Sequence, residues 1–170
     1  LQRDQLALLP HVGVSAGEAV QLCSALNEHF AGQGMEFFAP HPQRWYVRLN
    51  QLPSIETVPL SQAAGRNVRK LLPKGNDALR WHQLSNEVQM LLFAHPLNEA
   101  REARGELPIN SLWFWGGGCS SAEPMQKAYD SASSDEVLAE MFASAADIPF
   151  AGWSERWCDK EDNGRQLLVW

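Results

Sequence analysis

Apolar residues recur at helical spacing in two long segments of the chain, and each segment has its own start and stop signals. The first predicted helix begins at a capping box formed by Ser15 and Glu18, and Gly32 ends it. The second covers residues 77–94 and is broken by Pro96. The apolar stripes that define them are Ala19, Leu22, Cys23, Leu26 and Phe30 in the first helix, and Trp81, Leu84, Val88, Leu91 and Leu92 in the second.

Shorter apolar runs predict strands. Residues 35–38 and 44–49 flank a proline-rich turn, and the second run alternates apolar and polar side chains, which indicates a half-buried hairpin. Residues 111–115 are apolar on both faces, as expected of a central strand, and Gly116 follows them. Further strands are predicted over residues 5–9, 127–130 and 166–170, and further helices over residues 61–72, 97–104 and 134–145.

Taken in chain order, these elements predict an α+β fold. Through residue 115 they follow the β-α-β-β-α-β order of a ferredoxin-like sheet, and the remainder adds a C-terminal β-α-β extension. We therefore expect one mixed-sheet domain over residues 1–170, with the helix at 77–94 packed across the strand at 111–115.

The chain ends are unusual. The chain begins without methionine and closes on an apolar run, residues 167–170, whereas chain ends are normally polar. Two explanations stay open: the last strand docks in a sheet, or the chain is a fragment of a longer protein. A homo-oligomer that pairs through this C-terminal strand is a third alternative.

Composition narrows the classes of protein that fit. The 170 residues are 45% hydrophobic and 20% charged, as in an ordinary globular domain, and the net charge of -6 disfavours nucleic-acid binding. The cysteines, Cys23, Cys119 and Cys158, are odd in number and far apart, which favours a cytoplasmic protein over a disulfide-stabilised secreted one. No apolar run approaches the roughly 20 residues that span a bilayer, so no membrane partner is expected.

The sequence predicts neither a metal site nor a cofactor. Its five histidines include no i, i+4 pair on one helix, and its cysteines lack zinc-finger spacing. Cys119 follows three glycines, with His95 upstream, but a thiol in this position is more often a small buried group than a nucleophile. The glycines could cradle an anion, yet no Lys-Ser/Thr pair follows them, which favours a tight exit from the preceding strand.

Two polar stretches are candidate binding sites for a small anion. Arg66 is predicted to share a helix face with Arg69 and Lys70, where the cluster could hold a phosphate or be solvated decoration. The second stretch is denser and contains Arg101 and Arg104 one helical turn apart. Arginine forks suit phosphate and carboxylate oxygens. The predicted anion ligands are Asn98, Arg101, Arg104 and Asn110, with His95 and Arg66.

A structural account competes with the anion hypothesis. In that account the arginines pair with neighbouring carboxylates, and the two asparagines cap backbone ends. The carboxylates available to the arginines are those of Glu99, Glu102 and Glu87.

The polar stretch also carries a family resemblance. The string AHPLNEAREARGELPIN, followed by SLWFWGGG, resembles the archaeal-type cofactor-independent phosphoglycerate mutases. Residues 81–118 resemble more strongly the proteobacterial phosphoglycerate mutase-like proteins, which include RpfE-type regulatory proteins, and residues 57–75 do so more weakly. The resemblance implies a relative of the smaller domain that caps the substrate in mutases of the alkaline phosphatase superfamily.

The chemistry implied by the resemblance needs two metals, an Asp/His ligand set and a serine nucleophile on a larger α/β core. This sequence shows no such ligand set. We therefore expect a non-catalytic regulatory or small-anion-sensing domain, with a phosphorylated small molecule as its partner. The alternatives are the substrate domain of a phosphoglycerate mutase-like enzyme and a structural protein-interaction module.

Overall fold

The computed structural model describes residues 8–9, 12–119, 125–135, 137–153 and 164–168. They divide into two compact units, one within Leu1–Cys119 and one within Ser120–Trp170. Helices combine with a small antiparallel sheet and a parallel sheet, which confirms the predicted α+β class. No helix within these ranges is long and apolar enough to cross a membrane.

The first unit places a hairpin between helices. Its elements are α1 (Ala16–His29), β1 (Met35–His41), β2 (Arg44–Leu49), α2 (Leu60–Ala63), a 3₁₀ helix (Val68–Lys70), α3 (Ala78–Phe93) and α4 (Pro96–Ala103). Helices α1, α3 and α4 end near their predicted limits because local signals set those limits. The helix predicted over residues 61–72 is instead interrupted at Gly65, whose φ is 70°. Arg66 therefore lies outside the 3₁₀ helix that carries Arg69 and Lys70, and the predicted shared helix face was wrong.

The core of this unit forms where α1 and α3 pack with the hairpin. The predicted stripes are the buried faces of both helices, and Leu22, Leu26, Val88 and Leu92 are each 0% exposed. The capping box at the start of α1 is present, with the Glu18 N–H donating to the Ser15 hydroxyl at 3.3 Å. Burying apolar side chains stabilises a fold by about 25 cal/mol per Å² removed from water, so the two buried stripes stabilise the packing of α1 against α3 and the hairpin.

One polar side chain of α1 adds hydrogen bonds to its apolar packing against the hairpin. Strands β1 and β2 pair antiparallel, with Phe37 opposite Val47. The Asn27 side chain on α1 receives the Phe37 N–H at 2.7 Å and donates to the Phe37 carbonyl at 2.8 Å. An edge residue of the sheet thus has both backbone groups satisfied by the helix, which fixes the position of the hairpin over the core.

The central strand predicted at residues 111–115 was wrong. These residues form no strand, and Trp115 is 45% exposed. The segment is instead held by its side chains: the Trp113 indole donates to the Val58 carbonyl at 2.8 Å, and the Phe114 ring meets Trp81 edge-on at 5.2 Å. The segment is apolar on both faces because its aromatic side chains contact other parts of the unit, not because it is buried in a sheet. The predicted packing of α3 against this segment is confirmed by the ring contact.

The ferredoxin-like order is not found in the described part of the chain. The first predicted strand, residues 5–9, lies mostly outside the described residues, and Leu8 and Leu9 are not in a strand. With no strand at 111–115, the first unit contains the two-stranded β1-β2 sheet. The prediction of a single domain over residues 1–170 stays a prediction.

The second unit is a small parallel sheet with one helix. Strands β3 (Ser131–Ser133), β4 (Phe150–Ala151) and β5 (Gln166–Leu168) lie in the order β4-β3-β5, and helix α5 covers Val137–Ala145. The strand predicted at 127–130 is thus displaced to 131–133, and β4 was not predicted. The last predicted strand is confirmed through Leu168, and residues 169–170 lie outside the described ranges.

We expect Gly75→Ala to destabilise the first unit more than other glycine substitutions. Gly75 has a φ of 117°, and an added Cβ would lie 2.5 Å from the Ser54 carbonyl oxygen. A left-handed conformation costs a side chain about 1–2 kcal/mol, and forced overpacking adds roughly 1–3 kcal/mol. Urea unfolding monitored by circular dichroism measures the loss.

Gly65→Ala is the matched control. Gly65 also has a positive φ, 70°, but nothing lies within 4 Å of the position that an added Cβ would take. It should therefore lose only the conformational contribution of about 1–2 kcal/mol. Equal losses in the two variants would show that the approach of Gly75 to Ser54 is not tight.

Candidate functional site

The predicted polar site is built on α4. His95 caps this helix by receiving the Leu97 N–H at its Nδ1 over 3.1 Å, and Pro96 follows as the first helical residue. Asn98 and Arg101 lie one turn apart and face inward, with only 4% and 1% of their surfaces exposed. Two polar side chains in a core need complete hydrogen bonding, so their partners decide what they can do.

Arg101 gives all of its N–H donors to the protein itself. Its Nε donates to the Leu107 carbonyl at 2.9 Å. Its Nη1 donates to Glu18 Oε1 at 2.9 Å and to the Gly13 carbonyl at 3.3 Å, and its Nη2 donates to the carbonyls of Val12 and Gly13 at 2.6 and 3.3 Å. A guanidinium has five N–H donors, so none is left for an external anion in this conformation.

Glu18 is the carboxylate at the centre of the arrangement. Its Oε1 receives Arg101 and also Arg104 Nη2, the latter at 3.0 Å, and its Oε2 receives the Ser15 N–H and hydroxyl, both at 2.9 Å. The side chain is 13% exposed. The pKa of Glu18 lies below its ordinary value of 4.5, first because the Ser15 N–H stabilises the charged form, and further because the Ser15 hydroxyl and Arg101 do so, against the effect of burial.

Arg104 lies at the surface end of the same group. It forms a two-pronged pair with Glu106, Nε to Oε1 at 3.0 Å and Nη2 to Oε2 at 2.8 Å, and both side chains are about half exposed. The hydrogen bond from Arg104 lowers the pKa of Glu106, and the same bond raises the pKa of Arg104. Because Arg104 also bonds to Glu18, it connects the buried pair of Arg101 and Glu18 with the exposed Glu106.

Asn98 joins three backbone stretches. Its amide nitrogen donates to the Leu92 carbonyl at 2.7 Å and to the Ile109 carbonyl at 2.9 Å, while its oxygen receives the Ile109 N–H at 2.8 Å. The end of α3, the helix α4 and the segment after α4 are thus tied to one amide. Asn110 is exposed, and its oxygen receives the Ser111 hydroxyl at 3.4 Å.

The structure therefore brings together some of the predicted ligands and separates others. Asn98 and Arg101 share a buried face, and Arg104 meets Arg101 at Glu18. This geometry favours the structural account, although the arginine partners are Glu18 and Glu106 rather than the predicted Glu99, Glu102 and Glu87. His95 is a helix cap and Arg66 is exposed. Anion binding by these residues stays a prediction.

Glu18 is the residue that the sequence reasoning missed. It lies 83 positions from Arg101, and its only visible signal was the capping box with Ser15. A capping carboxylate has two oxygens, and only one is needed at the helix start. The second oxygen is therefore free for a long-range partner, which local spacing does not reveal.

The remaining reactive groups give no metal cluster in the described ranges. There, no group of three His, Cys, Asp or Glu side chains could hold a metal ion. Cys119 is exposed rather than buried, which corrects the sequence expectation. Cys23 is buried, and burial raises the pKa of its thiol to about 11, so it is uncharged at neutral pH.

Comparison with known proteins gives one consistent relationship. No family model matches the chain. A probable 2,3-bisphosphoglycerate-independent phosphoglycerate mutase of Geobacter sulfurreducens is 31% identical over 109 residues, which are 62% of this chain and 27% of that protein. The 2,3-bisphosphoglycerate-independent phosphoglycerate mutase of Methanosarcina mazei is 28% identical over 107 residues, again 62% of this chain and 27% of that protein. The chain thus spans about a quarter of the length of these relatives.

A solved structure carries a related name. The cofactor-independent phosphoglycerate mutase from Thermoplasma acidophilum has a TM-score of 0.48 and 13% identity, over 91% of this chain and 47% of that one. The relationship rests on the sequence matches. This chain is distantly similar to part of the 2,3-bisphosphoglycerate-independent phosphoglycerate mutases, as its sequence predicted.

Proposed function

We propose that this chain is a non-catalytic domain that senses a small phosphorylated anion and serves a regulatory role. The observation that carries the non-catalytic part of the proposal is the state of Arg101, which gives its donors to the protein's own carbonyls and to Glu18. These hydrogen bonds support a structural role for the polar string rather than a catalytic one. The similarity to about a quarter of each mutase supports the same conclusion. The phosphorylated ligand is proposed from the names of the relatives.

The alternative is the substrate domain of a phosphoglycerate mutase-like enzyme. It is favoured by the names of the relatives, which are mutases. The two functions share a ligand class and differ in turnover, so one set of measurements separates them.

A thermal-shift titration tests the proposal. We expect 3-phosphoglycerate and 2-phosphoglycerate to raise the melting temperature, with a smaller effect of glycerate and sulfate as controls. A ligand at a hundred times its dissociation constant stabilises the native state by about 2.7 kcal/mol, which is roughly 5–10 °C for a chain of this length. An unchanged melting temperature with every phosphorylated ligand would refute sensing, and interconversion of the two phosphoglycerates with added Mn²⁺ would establish the enzyme alternative.

The scaffold role of the polar string predicts an asymmetry between its two arginines. Arg101→Ala should lower the free energy of unfolding by about 3–5 kcal/mol, because it leaves buried carbonyls and Glu18 without a donor. Arg104→Ala removes the same charge from a half-exposed side chain whose bonds to Glu106 and Glu18 are screened by solvent, so it should lose much less stability than Arg101→Ala. Urea unfolding of the two variants measures both losses, and similar losses would contradict the scaffold role.

The lowered pKa of Glu18 predicts a pH dependence. In the unfolded chain Glu18 takes up a proton near its ordinary pKa of 4.5, whereas in the folded protein it does so only at lower pH. Its contribution to stability is therefore present above about pH 5 and is lost as the pH falls through the folded pKa. Glu18→Gln should be less stable than the wild type at pH 7, and the difference should shrink towards pH 3.

Glu102→Gln is the control for this measurement. Glu102 is on α4, is exposed and has no ion pair among the described residues. Urea midpoints at pH 7, 5, 4 and 3 should then run parallel for Glu102→Gln and wild type. A constant gap between Glu18→Gln and wild type over the whole range would show that the Glu18 charge does not contribute.

A further inference from the structure

A cleft lies beside the packing of α1, the hairpin and α3, away from the hydrogen bonds of α4. It opens between the turn after α1, the end of β2 and the first turn of α3, and has a volume of about 360 Å³. Pockets for small molecules span roughly 300–1,000 Å³, so the cleft suits a ligand at the small end of that range. None of the predicted anion ligands lines it.

The walls of the cleft are fixed by backbone hydrogen bonds. Gly34 has a φ of 76°, and its carbonyl receives the backbone N–H of Asn50 at 3.0 Å. A Cβ added to Gly34 would lie 3.1 Å from the side-chain Nδ2 of Asn50. On the other side, the Asp77 carboxylate receives the Ser54 N–H at 2.7 Å. The loop after β2 is therefore attached both to the turn after α1 and to the start of α3, which gives a formed site rather than a loose surface.

Trp81 supplies an apolar wall with one uncommitted donor. The residue is 7% exposed and lines the cleft, and its ring packs against Phe114. Its indole N–H donates to no acceptor in the parts of the chain described. A tryptophan this deeply buried normally gives its N–H to a partner, as Trp113 does to Val58. The indole N–H of Trp81 is thus without an acceptor in the described chain, in a residue that lines the cleft.

The remaining polar groups of the cleft favour an anion. Arg80 is exposed, lines the cleft and forms no ion pair with any described residue. The lining also contains one carboxylate, Asp77, which keeps its negative charge but receives the Ser54 N–H and so has one of its oxygens already bonded. The side-chain amides of Gln33 and Gln51 also line the cleft and have no hydrogen-bond partner in the described ranges. One free cation, several neutral donors and an aromatic wall match a short organic acid with an oxyanion head.

We propose that this cleft is the binding site of the small anion, with Arg80 holding the phosphate or carboxylate group and Trp81 packing against the body of the ligand. The amides of Gln33 and Gln51 bind its hydroxyl or carboxyl oxygens. This inference rests on the proposed sensing function and assigns it a place: the ligand is held by an exposed arginine at the start of α3, not by the buried arginine of α4.

The test measures the affinity for 3-phosphoglycerate by titration calorimetry in wild type and three variants. Arg80→Gln should weaken binding at least about tenfold, since a charge-assisted hydrogen bond is lost. Arg165→Gln removes the same charge from an exposed position that does not line the cleft and should bind like wild type. Trp81→Phe keeps an aromatic side chain, although a smaller one, and removes the indole N–H, so it should weaken binding about threefold or more. Melting temperatures without ligand establish that each variant is folded.

A spectroscopic readout locates the ligand independently of affinity. The indole N–H resonance of Trp81 is identified as the one missing from the spectrum of Trp81→Phe, and it should shift as 3-phosphoglycerate is added. Glycerate and inorganic phosphate, titrated in the same way, show whether the carboxylate or the phosphate is recognised.

The outcomes separate the site from the function. If wild type binds, and Arg80→Gln and Trp81→Phe bind equally well, the cleft is the wrong site and the sensing function stands. If wild type binds none of the three probes, both the cleft and the sensing function are refuted. A shift of the Trp81 resonance together with the loss in Arg80→Gln supports the site.

Discussion

The buried guanidinium of Arg101 is the constraint on which the arrangement of the first unit depends. A charge that is 1% exposed is stable only with complete partners, and its partners come from three places: the backbone at Val12 and Gly13, Glu18 on α1, and Leu107 beyond α4. The helix α4, the start of α1 and the segment that follows α4 must therefore be positioned together. Asn98 adds the end of α3 to the same assembly through a single amide.

This constraint changes what the family resemblance means. The polar string that resembles the mutases contains arginine and asparagine, which often bind ligands. Its inward-facing side chains, Asn98 and Arg101, instead form hydrogen bonds within the protein. A sequence string can thus be shared between proteins because it holds a scaffold in place. The chain's similarity to part of the mutases is therefore compatible with a ligand site elsewhere, such as the one that we propose at Arg80 and Trp81.

The fold could be predicted where it depends on neighbours in the sequence. Helices α1, α3 and α4 follow from stripes and caps within about 16 residues, and the β1-β2 hairpin follows from alternation across a tight turn. The strand expected at 111–115 failed because a run of apolar residues also suits an aromatic segment anchored by single contacts, such as Trp113 to Val58. The short strands of the second unit were misplaced because three residues carry almost no periodic signal.

The sequence by itself determined the α+β class, the helix faces and the resemblance, because each depends on the order and spacing of nearby residues. Only the tertiary structure decided which side chains are free to bind. Arg101 and Arg80 are indistinguishable as letters on amphipathic helices, but one meets a carboxylate 83 residues away and the other meets no ion-pair partner in the described chain. Long-range packing decides which side chains are buried and which partners they bond to. It gives Arg101 a structural role and leaves Arg80 exposed to solvent.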